Sequence, residues 1–555
     1  MNKETFNKNN FIYKIIEKYI KNKKTRTIRT RFPPEPNGYL HLGHIKSICI
    51  NFEIAKIKKG KCNLRFDDTN PNTEKKEFIH SIKSDIRWLD YKWDNIFYTS
   101  CYFKKIYKYA IKLIKKNLAY VDLSSIKKIK KERGNFYKLG TENIFREQSI
   151  QKNLILFQKM KNGIFKEGEA CLRAKINMHS PLVIMRDPII YRIKFFTHHT
   201  TKKKWCIYPT YDFSHCISDS IEKITHSFCT LEFLDNKKLY KWFLKKIKTK
   251  NNPIQYEFSK LNLEYTVLSK RKLKQIIKKK IVNGWNDPRI PTIAGLRRRG
   301  YTALALRNFC IKSGITKQTH YLQLPLLESC IRQELNITAH RTMIIINPIK
   351  LIITNLPKQY KELMIINNHP NNIKMGKKCL LFTNTIYIEK NDIYKFLKNK
   401  NIEKFKKILI KLKYAYYITI YKIKIIKNKP IIFCKYHKNT LGKINKTNKK
   451  NKIIHWISIK DAKKAEFRLY EPLFTIKKPE ISENFLNYIN KKSMIIKNGF
   501  VESEMYTKKI FFHYQFERKG YFYVDPVYSR PKKLVFNQIV GLKKKINNLN
   551  KKIIL

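Results

Sequence analysis

The segment Arg31-Phe-Pro-Pro-Glu-Pro-Asn-Gly-Tyr-Leu-His-Leu-Gly-His44 decides the fold of this chain. It follows a strand-like run over residues 27–32 and leads directly into a helical pattern. Backbone N–H groups at the start of a helix have no partner within the helix and attract phosphate. Gly43 lacks the side chain that would block close approach of a nucleotide, and His41 and His44 can donate hydrogen bonds to phosphate oxygens. The segment therefore predicts a phosphate-binding strand, loop and helix.

A second strand pattern, Cys62-Asn-Leu-Arg-Phe66, ends at Asp67-Asp-Thr-Asn-Pro71. Strand, helix and strand at this spacing predict a βαβ unit with a parallel sheet. Ligands bind beyond the carboxyl ends of such strands, where His41 and Asp67 both fall. The chain has no Gly-x-Gly-x-x-Gly or Walker sequence, which excludes an ordinary dinucleotide or P-loop site. Far downstream, Val267-Leu-Ser-Lys-Arg271 offers a Lys to the other side of a triphosphate.

Length and charge bound the class of protein. With 555 residues the chain is too long for one core, and at about 150 residues each it should hold roughly three to five domains. The net charge of +77 comes from 118 Lys and Arg against 41 Asp and Glu, which favours RNA or DNA as a partner. Lys, Asn, Ile, Tyr and Phe are all abundant, as A+T-rich codons would make them. We assign about half of the charge excess to such drift, so charge alone identifies no RNA site.

Cysteine usage and hydropathy indicate a cytoplasmic protein. The 11 Cys residues include no Cys-x-x-Cys pair, which argues against a zinc ribbon and a disulfide framework. We therefore expect no structural zinc and no other protein-bound metal. Lys interrupts every Ile-rich stretch before it reaches the length of a membrane span, and residues 1–24 lack the core of a signal peptide. Residues 11–17 predict a short amphipathic helix instead.

The two phosphate motifs together resemble the signature pair of class I aminoacyl-tRNA synthetases. Beyond them, nearly the whole chain resembles the glutaminyl-tRNA synthetase family of the bacterial and eukaryotic type. The likeness is densest over residues 26–340 and thinner over 385–470. Besides residues 62–71, it includes Tyr208-Pro-Thr-Tyr-Asp-Phe-Ser-His-Cys-Ile-Ser-Asp219 and Ile224-Thr-His-Ser-Phe-Cys-Thr-Leu-Glu-Phe233. The resemblance implies an α/β and β fold: a Rossmann-like class I catalytic domain with an inserted acceptor-binding domain, a helical subdomain and two C-terminal β-barrels.

The expected domains follow from this resemblance and from a change to short apolar strands near residue 339. They are an N-terminal helix (1–25), the Rossmann-like catalytic domain (26–100 and 211–260), the acceptor-stem-binding insertion (101–210), the helical subdomain with the Leu-Ser-Lys loop (261–338), a proximal anticodon-binding β-barrel (339–385 and 472–545), a distal anticodon-binding β-barrel (386–471) and a basic tail (546–555).

By the same resemblance, the catalytic groups are His41, His44 and Lys270. Attack of a carboxylate on an α-phosphate needs charge neutralisation more than a covalent nucleophile, and Mg²⁺ that accompanies ATP normally shares that task. The family usually has Met at position 268 and Arg at position 260, where this chain has Leu and Lys, and Lys loses the bidentate geometry of Arg. The implied ATP-binding residues are Glu35, Pro36, Asn37, His41, Leu42, Gly43, His44, Ile45, Lys46, Ser47, Thr230, Lys260, Leu261, Leu268, Ser269 and Lys270.

The resemblance also implies a glutamine pocket. Asp67 would pair with the α-ammonium group, Arg31 with the α-carboxylate, and Tyr211 with the side-chain amide. The implied glutamine-binding residues are Arg31, Asp67, Tyr211, His215, Cys229 and Gln255. Related glutamate enzymes carry Arg where this chain has Cys229, and a neutral Cys suits an uncharged amide. A glutamate carboxylate left unpaired in a buried pocket would cost on the order of several kcal/mol.

The expected RNA contacts fall in three regions. Asp235 would accept a hydrogen bond from a guanine amino group in the acceptor-stem minor groove, and Phe136 replaces the family's Leu wedge at the first base pair. Around residues 411–413 the chain is shorter than the family, with Lys where Arg is usual. The implied tRNA-binding residues are Phe136 and Asp235 at the acceptor stem, Lys317 and Gln318 at the inner elbow, and Arg341, Gln515 and Arg518 at the anticodon.

The activity implied is ATP-dependent formation of glutaminyl-adenylate from L-glutamine and its transfer to the 3′-terminal adenosine of tRNA(Gln) by a monomer. One alternative is a glutamate or dual-specificity enzyme of the same fold. A second alternative is an RNA-binding protein that has lost catalysis, although His41, His44, Lys270, Asp67 and Tyr211 are all intact.

Overall fold

The computed structural model describes residues 10–22, 27–393, 409–426, 429–442, 452–507 and 512–542. The chain forms two compact units. Unit 1 comprises residues 1–263, 268–272 and 307–322, and unit 2 comprises residues 264–267, 273–306 and 323–555. The expected basic tail, residues 546–555, lies outside the described residues.

The first part of the chain alternates helices and short strands. In chain order these are α1 (Phe11–Asn22), β1 (Arg29–Phe32), α2 (Leu42–Ile57), β2 (Lys61–Phe66), α3 (Lys76–Trp88), β3 (Asn95–Tyr98), α4 (Phe103–Lys115), β4 (Ala119–Asp122), α5 (Ile126–Arg133), α6 (Ile150–Lys161), β5 (Cys171–Ala174), β6 (Ile189–Ile193), β7 (Ile207–Pro209), α7 (Tyr211–Ile221), β8 (His226–Thr230), α8 (Asn236–Ile247), β9 (Ile254–Phe258) and β10 (Asn262–Leu263).

The middle of the chain is mainly helical, and the last part is mainly strand. The middle elements are α9 (Lys270–Lys278), α10 (Ile293–Arg299), α11 (Ala303–Ser313), β11 (Tyr321–Leu322) and α12 (Leu324–Thr338). The last elements are β12 (His340–Thr342), β13 (Pro348–Ile353), β14 (Lys361–Asn367), β15 (Lys377–Thr383), β16 (Thr385–Glu389), β17 (Leu409–Leu412), β18 (Tyr417–Ile426), β19 (Lys429–His437), β20 (Lys452–Ile454), β21 (Trp456–Ser458), β22 (Ala462–Tyr470), β23 (Met494–Glu502), α13 (Glu504–Thr507), β24 (His513–Phe516), β25 (Gly520–Val524) and β26 (Leu534–Val540).

The predicted βαβ unit is confirmed. Strands β1, β2 and β3 pair in parallel in that order, and α2 connects the first two. Strands β8 and β9 form a second parallel pair. The backbone N–H of Thr225, just before β8, donates to the carbonyl oxygen of Arg29 at 2.9 Å, so this pair lies beside β1. The carboxyl ends of β1, β2 and β8 carry the segments that the sequence marked as ligand-binding.

Within unit 1, β4 to β7 form a separate antiparallel sheet in sequence order. Helices α4 and α6 cover it, and Phe103, Phe157 and Tyr191 belong to the shared apolar core. This sheet occupies the segment in which the resemblance placed an insertion. Every residue of β4, β5 and β7 is buried, so this sheet is covered on both faces.

The sheets of unit 2 group the strands differently from the expected barrel boundaries. The expected boundary assigned β13 to the proximal barrel and β22 to the distal barrel. Instead, β13 pairs with β16 and β19 in a seven-stranded sheet, and β22 pairs with β23 and β26 in a six-stranded sheet. Leu351 of β13 is buried in a core with Ile432 and Trp456. Alternating apolar residues predict a strand but do not identify its partner, which is why the boundary was misplaced.

Within the described residues, no helix is both long enough and apolar enough to cross a membrane.

Gly60, in the turn between α2 and β2, tests how closely the parallel strands approach. A Cβ atom at Gly60 would lie 2.1 Å from the carbonyl oxygen of Ile28. We expect Gly60→Ala to lower the free energy of unfolding by about 1–3 kcal/mol, because backbone must move. At Gly541 a Cβ atom meets no described atom within 4 Å, so Gly541→Ala should change it by less than about 0.5 kcal/mol. Urea unfolding of both variants checks this, and equal effects would contradict it.

Candidate active site

The start of α2 is held by a reciprocal pair of histidines. Nδ1 of His41 accepts the backbone N–H of Gly43 at 3.2 Å, and Nδ1 of His44 accepts the backbone N–H of His41 at 3.0 Å. The ring centroids are 3.8 Å apart. Burial, followed by the charges of Lys270 and Lys260, lowers the pKa of His41 to about 3. Burial also lowers the pKa of His44 well below its ordinary value. Both rings are therefore neutral at pH 7, and each carries its proton on Nε2, where it can donate to a ligand.

The two phosphate motifs, far apart in sequence, meet at this helix start. A Cβ atom at Gly43 would lie 3.0 Å from the His41 ring and 3.6 Å from Cδ1 of Leu268. Lys270, at the start of α9, donates from Nζ to Oδ1 of Asn37 at 2.6 Å. The structure thus brings an ammonium group, two imidazoles and a helix N-terminus around one space that the missing Gly43 side chain leaves open.

The other predicted ATP-binding residues lie in three different environments. Nζ of Lys260 donates to Glu232 at 2.8 Å in an exposed ion pair, and the hydroxyl of Thr230 is 3.5 Å from the same carboxylate. Nζ of buried Lys46 donates to Oγ of Ser259 at 3.2 Å, and burial lowers the pKa of Lys46. The side chains of three further residues lie in the core, which leaves only their backbone for a ligand: Leu42, Ile45 and Leu261. The roles of these residues toward ATP stay predictions.

A small cavity lies between α7, β8 and β9. Four predicted glutamine-binding residues line it, namely Tyr211, His215, Cys229 and Gln255. Sequence reasoning missed four further lining residues, two of which lie within the quoted family segments: Asp212, Phe233, Asn236 and Tyr240. The structure places the four predicted side chains around one cavity, and their contacts with an amino acid stay predictions.

Arg31 is buried in an ion network and does not line this cavity. Its Nε donates to Asp219 at 2.9 Å, and its two terminal nitrogens reach the Phe228 carbonyl, the Ser227 hydroxyl and Nε2 of His215. Burial alone would raise the pKa of Asp219, but the neighbouring cations hold it well below its ordinary value. Most donors of Arg31 are thus occupied by protein acceptors, which differs from the expectation that it serves the α-carboxylate.

Two groups near the cavity bear on the predicted amino acid: the Asp67 carboxyl, which ionises near pH 7, and the uncharged Cys229 thiol. Oδ1 of Asp67 is buried without a hydrogen-bond partner among the described residues. Burial, and then the charges of Asp68 and Glu35, raises the pKa of Asp67 to about 7 despite the opposing charge of Arg65. Burial raises the pKa of the Cys229 thiol to about 12, so it is uncharged at pH 7. An unpaired carboxylate and a neutral thiol suit an ammonium group and an amide, respectively.

The predicted acceptor-stem residues lie at the surface of unit 1. Phe136 is 84% exposed on a tight turn, and Tyr137, which sequence reasoning missed, is 99% exposed. Buried Arg186 braces this turn by donating to the carbonyl oxygens of Arg133, Asn135 and Lys138 at 2.8–3.0 Å. Three further predicted residues are also exposed: Asp235, Lys317 and Gln318.

In unit 2, two of the three predicted anticodon residues are neighbours. Arg341 on β12 and Gln515 on β24 are direct register partners, although 174 positions separate them in the sequence. Oε1 of Gln515 is buried without a hydrogen-bond partner among the described residues. Arg518 instead forms a bidentate ion pair with Asp392, at 2.9 and 2.5 Å. Lys413, in the shortened segment, pairs with Glu517.

Comparisons with known proteins agree with this geometry. Residues 27–337 match the model of the catalytic domain of class I tRNA synthetases for glutamate and glutamine. Residues 339–437 and 453–525 match the two anticodon-binding domain models of the same family. The chain is 56% identical to the glutamine–tRNA ligase of Buchnera aphidicola subsp. Baizongia pistaciae (strain Bp), over 98% of this chain and 100% of that relative. It is 49% identical to the glutamine–tRNA ligase of Proteus mirabilis (strain HI4320), over 98% of each. On these matches, the chain belongs to the class I tRNA synthetases for glutamate and glutamine.

Proposed function

We propose that this protein is a glutamine–tRNA ligase, which activates L-glutamine with ATP and transfers it to the 3′-terminal adenosine of tRNA(Gln). One observation carries the proposal: His41 and His44 at the start of α2 lie beside Lys270, and the cavity that holds the uncharged Cys229 is built on a parallel strand pair next to β1. The relatives that match over the whole chain bear the name of this activity.

The ATP phosphates would bind at the start of α2. Nε2–H of His41 and His44 and the ammonium of Lys270 are donors beside the positive end of the α2 dipole, which suits an anion whose charge grows during attack on the α-phosphate. The neutral imidazoles are already fixed by their hydrogen bonds to backbone N–H groups, so they need no rearrangement before they donate to phosphate. Mg²⁺ bound to ATP would neutralise further phosphate charge. The protein's own task in this step is to position the phosphates and to stabilise their charge.

Glutamine would bind with its ammonium at Asp67 and its amide in the cavity. Asp67 has a buried oxygen without a protein partner, so an ammonium group would replace the water that burial removes. The Tyr211 hydroxyl and Gln255 would face the amide. Nε2 of Gln255 already donates to the carbonyl oxygen of Phe233 at 2.9 Å, which fixes the orientation of its side chain. Arg31 would orient His215 beneath Tyr211 and supply positive charge to the α-carboxylate from behind.

The tRNA would contact both units. Phe136 would open the first base pair of the acceptor stem, with Asp235 in the minor groove and Lys317 and Gln318 at the inner elbow. Three residues of unit 2 would contact the anticodon: Arg341, Gln515 and Arg518. The two large sheets of unit 2 would form the walls of two anticodon-binding barrels. We further propose a cytoplasmic monomer.

Amino acid specificity is the decisive test of the function. In steady-state charging of tRNA(Gln), we expect glutamine to be a substrate and glutamate to be rejected, because none of the described residues that line the cavity with Cys229 is Lys or Arg. Cys229→Arg should raise the ratio of kcat/KM for glutamate over glutamine by about tenfold or more, since Arg pairs with a carboxylate. Cys229→Ser is the matched control and should keep the preference for glutamine. Charging with glutamate by the wild-type protein would establish a dual-specificity enzyme instead.

Lys270 tests the phosphate site. Loss of its ammonium should slow adenylate formation by about 10²-fold or more, because a lost donor to developing phosphate charge costs about 3 kcal/mol. We expect this of Lys270→Ala in single-turnover charging, with tRNA affinity unchanged. Lys274→Ala, an exposed Lys on the same helix, should leave the rate within about twofold. Similar rates for both variants would remove Lys270 from the mechanism.

Asp67 predicts a pH dependence. Its carboxylate must be ionised to bind ammonium, and its pKa in the free protein is raised to about 7. The pH dependence of kcat/KM reports the pKa values of groups in the free protein. We therefore expect kcat/KM for glutamine to fall about tenfold per pH unit below about pH 7 and to be constant above about pH 8. Asp67→Asn should lower this parameter by about 10²-fold and remove the dependence. kcat/KM for ATP at saturating glutamine is the internal control, and a flat glutamine profile between pH 6 and 8 would contradict the assignment.

Arg341 tests the anticodon site. Its Nη2 donates to Asn336 and remains at the surface beside Gln515. Arg341→Ala should weaken charging of the cognate tRNA by about 1–3 kcal/mol, and should affect a tRNA already changed at the contacted base much less. Lys350→Gln, at an exposed Lys of the same unit, should lower affinity for both tRNAs alike and reduce the salt dependence. Equal losses on the two tRNAs for Arg341→Ala would show that it supplies charge only.

A further inference from the structure

Two carboxylates and an imidazole converge just beyond the carboxyl end of β2, outside the sites described above. Asp68 follows that strand directly, Glu74 lies in the loop before α3, and His199 comes from the turn between β6 and β7. Nε2 of His199 is 3.1 Å from Oδ2 of Asp68 and 3.8 Å from Oε2 of Glu74. Nε2 of His199 thus lies within 4 Å of one oxygen of each carboxylate, and the three side chains come from three segments of unit 1.

Protein groups donate hydrogen bonds to both carboxylates. Oδ1 of Asp68 accepts the backbone N–H of Ser100 at 2.8 Å, and the Ser100 hydroxyl donates to Oδ2 at 2.6 Å. Oε1 of Glu74 accepts the backbone N–H of Asn70 at 2.7 Å. Ligating carboxylates in metal sites are oriented by outer hydrogen bonds of this kind.

His199 is oriented in the same way. Its Nδ1 is 3.0 Å from the hydroxyl oxygen of Thr200. With the ring proton on Nδ1 donated to that hydroxyl, Nε2 presents a lone pair to the two carboxylates. A hydrogen bond on one ring nitrogen and a metal on the other is the usual arrangement of a ligating His.

Two of the three converging atoms have no hydrogen-bond partner among the described residues. Oε2 of Glu74 and Nε2 of His199 are buried, and among the described residues neither makes a hydrogen bond. The Glu74 side chain is only 1% exposed. Nε2 of His199 lies close to Oδ2 of Asp68 but is not aligned for a hydrogen bond. Buried polar atoms without partners are costly, so this arrangement calls for a shared cation between them.

His198, the sequence neighbour, is not a ligand. Its Nδ1 accepts the backbone N–H groups of Thr200 and Thr201 at 3.1 Å each. Its Nε2 therefore carries the ring proton and donates to the carbonyl oxygen of Asp68 at 2.9 Å. Both nitrogens are occupied, and the cluster offers three protein ligands with a fourth position left for water.

We propose that Asp68, Glu74 and His199 bind one divalent transition-metal ion, Zn²⁺ or Mn²⁺. Metal–ligand distances of about 2.0–2.2 Å place neighbouring ligand atoms of a tetrahedral site about 3.3–3.6 Å apart, and the spacings here are 3.1 and 3.8 Å. One imidazole with two carboxylates suits Zn²⁺ or Mn²⁺ better than Mg²⁺. The ion would fasten the loop that carries Asp67 to the turn between β6 and β7. Sequence analysis predicted no metal, because the three ligands share no motif.

Metal content and affinity test the proposal. The full chain, freed of metal with EDTA and dialysed, should bind about one equivalent of Zn²⁺ or Mn²⁺ with micromolar or tighter affinity. Competition with a chromophoric chelator measures Zn²⁺, and electron paramagnetic resonance measures Mn²⁺. Glu74→Gln and His199→Asn should each weaken binding by about tenfold or more. The matched controls Glu77→Gln and His80→Asn remove exposed groups of α3 and should bind as the wild-type protein does.

The opposite results would overturn the proposal. If neither ion binds the wild-type chain stoichiometrically, or Mg²⁺ alone does so, Asp68, Glu74 and His199 do not form the proposed site. Equal affinities for ligand and control variants would place any bound ion elsewhere. The wild-type titration does not depend on the folding of any variant, and none of these measurements requires tRNA charging.

Discussion

The buried carboxylate of Asp219 holds the centre of unit 1 together. It lies 2.9 Å from Nε of Arg31 on β1 and 2.7 Å from a terminal nitrogen of Arg65 on β2, while its own helix is α7. Removing one member of a buried ion network typically costs about 3–5 kcal/mol, because the remaining charges stay buried without partners. The same two guanidinium groups contact both nitrogens of His215, and Tyr211 stacks on that ring at 4.7 Å. The shape of the cavity lined by Tyr211 and His215 therefore depends on this network.

The sequence predicted the local features well because they follow from local rules. The loop that enters a helix at His41 predicts a phosphate site from its own sequence, without knowledge of its neighbours. The strands predicted at 27–32 and 62–66 likewise follow from the composition of those segments. Non-local features could not be predicted in this way. The partners of Arg31, the grouping of β13 and β22 and the approach of Phe233 to the cavity depend on which segments pack together. The family resemblance named Arg341 and Gln515 as tRNA contacts but did not pair them, and it did not supply the ion network that occupies Arg31.

Arginine and lysine occupy different environments: the largest buried cations are Arg, and most Lys residues are partly or fully exposed. The largest fully buried cations are Arg31, Arg65, Arg173 and Arg186, each of which donates to several fixed acceptors. A planar guanidinium satisfies such a set of acceptors, whereas a single ammonium does not. Most Lys residues are partly or fully exposed, where either cation would serve. Most of the excess positive charge therefore lies at the surface. In the interior, the planar guanidinium of Arg satisfies several fixed acceptors at once.

Against this positive background, the end of β2 is locally acidic. Asp67, Asp68 and Glu74 are buried within one short stretch, and burial, together with the charge of Asp68, raises the pKa of Glu74 to about 9. Lys270 and the neutral rings of His41 and His44 lie at the helix start beside the same strands. An ionised Asp67 on one side and Lys270 on the other would direct the ammonium of an amino acid to Asp67 and the phosphates of a nucleotide to the helix start. The α-carboxylate would then lie between these two groups, because the ammonium fixes one end of a short molecule. Charge separation within the site would therefore aim the nucleophile at the α-phosphate before any side chain moves.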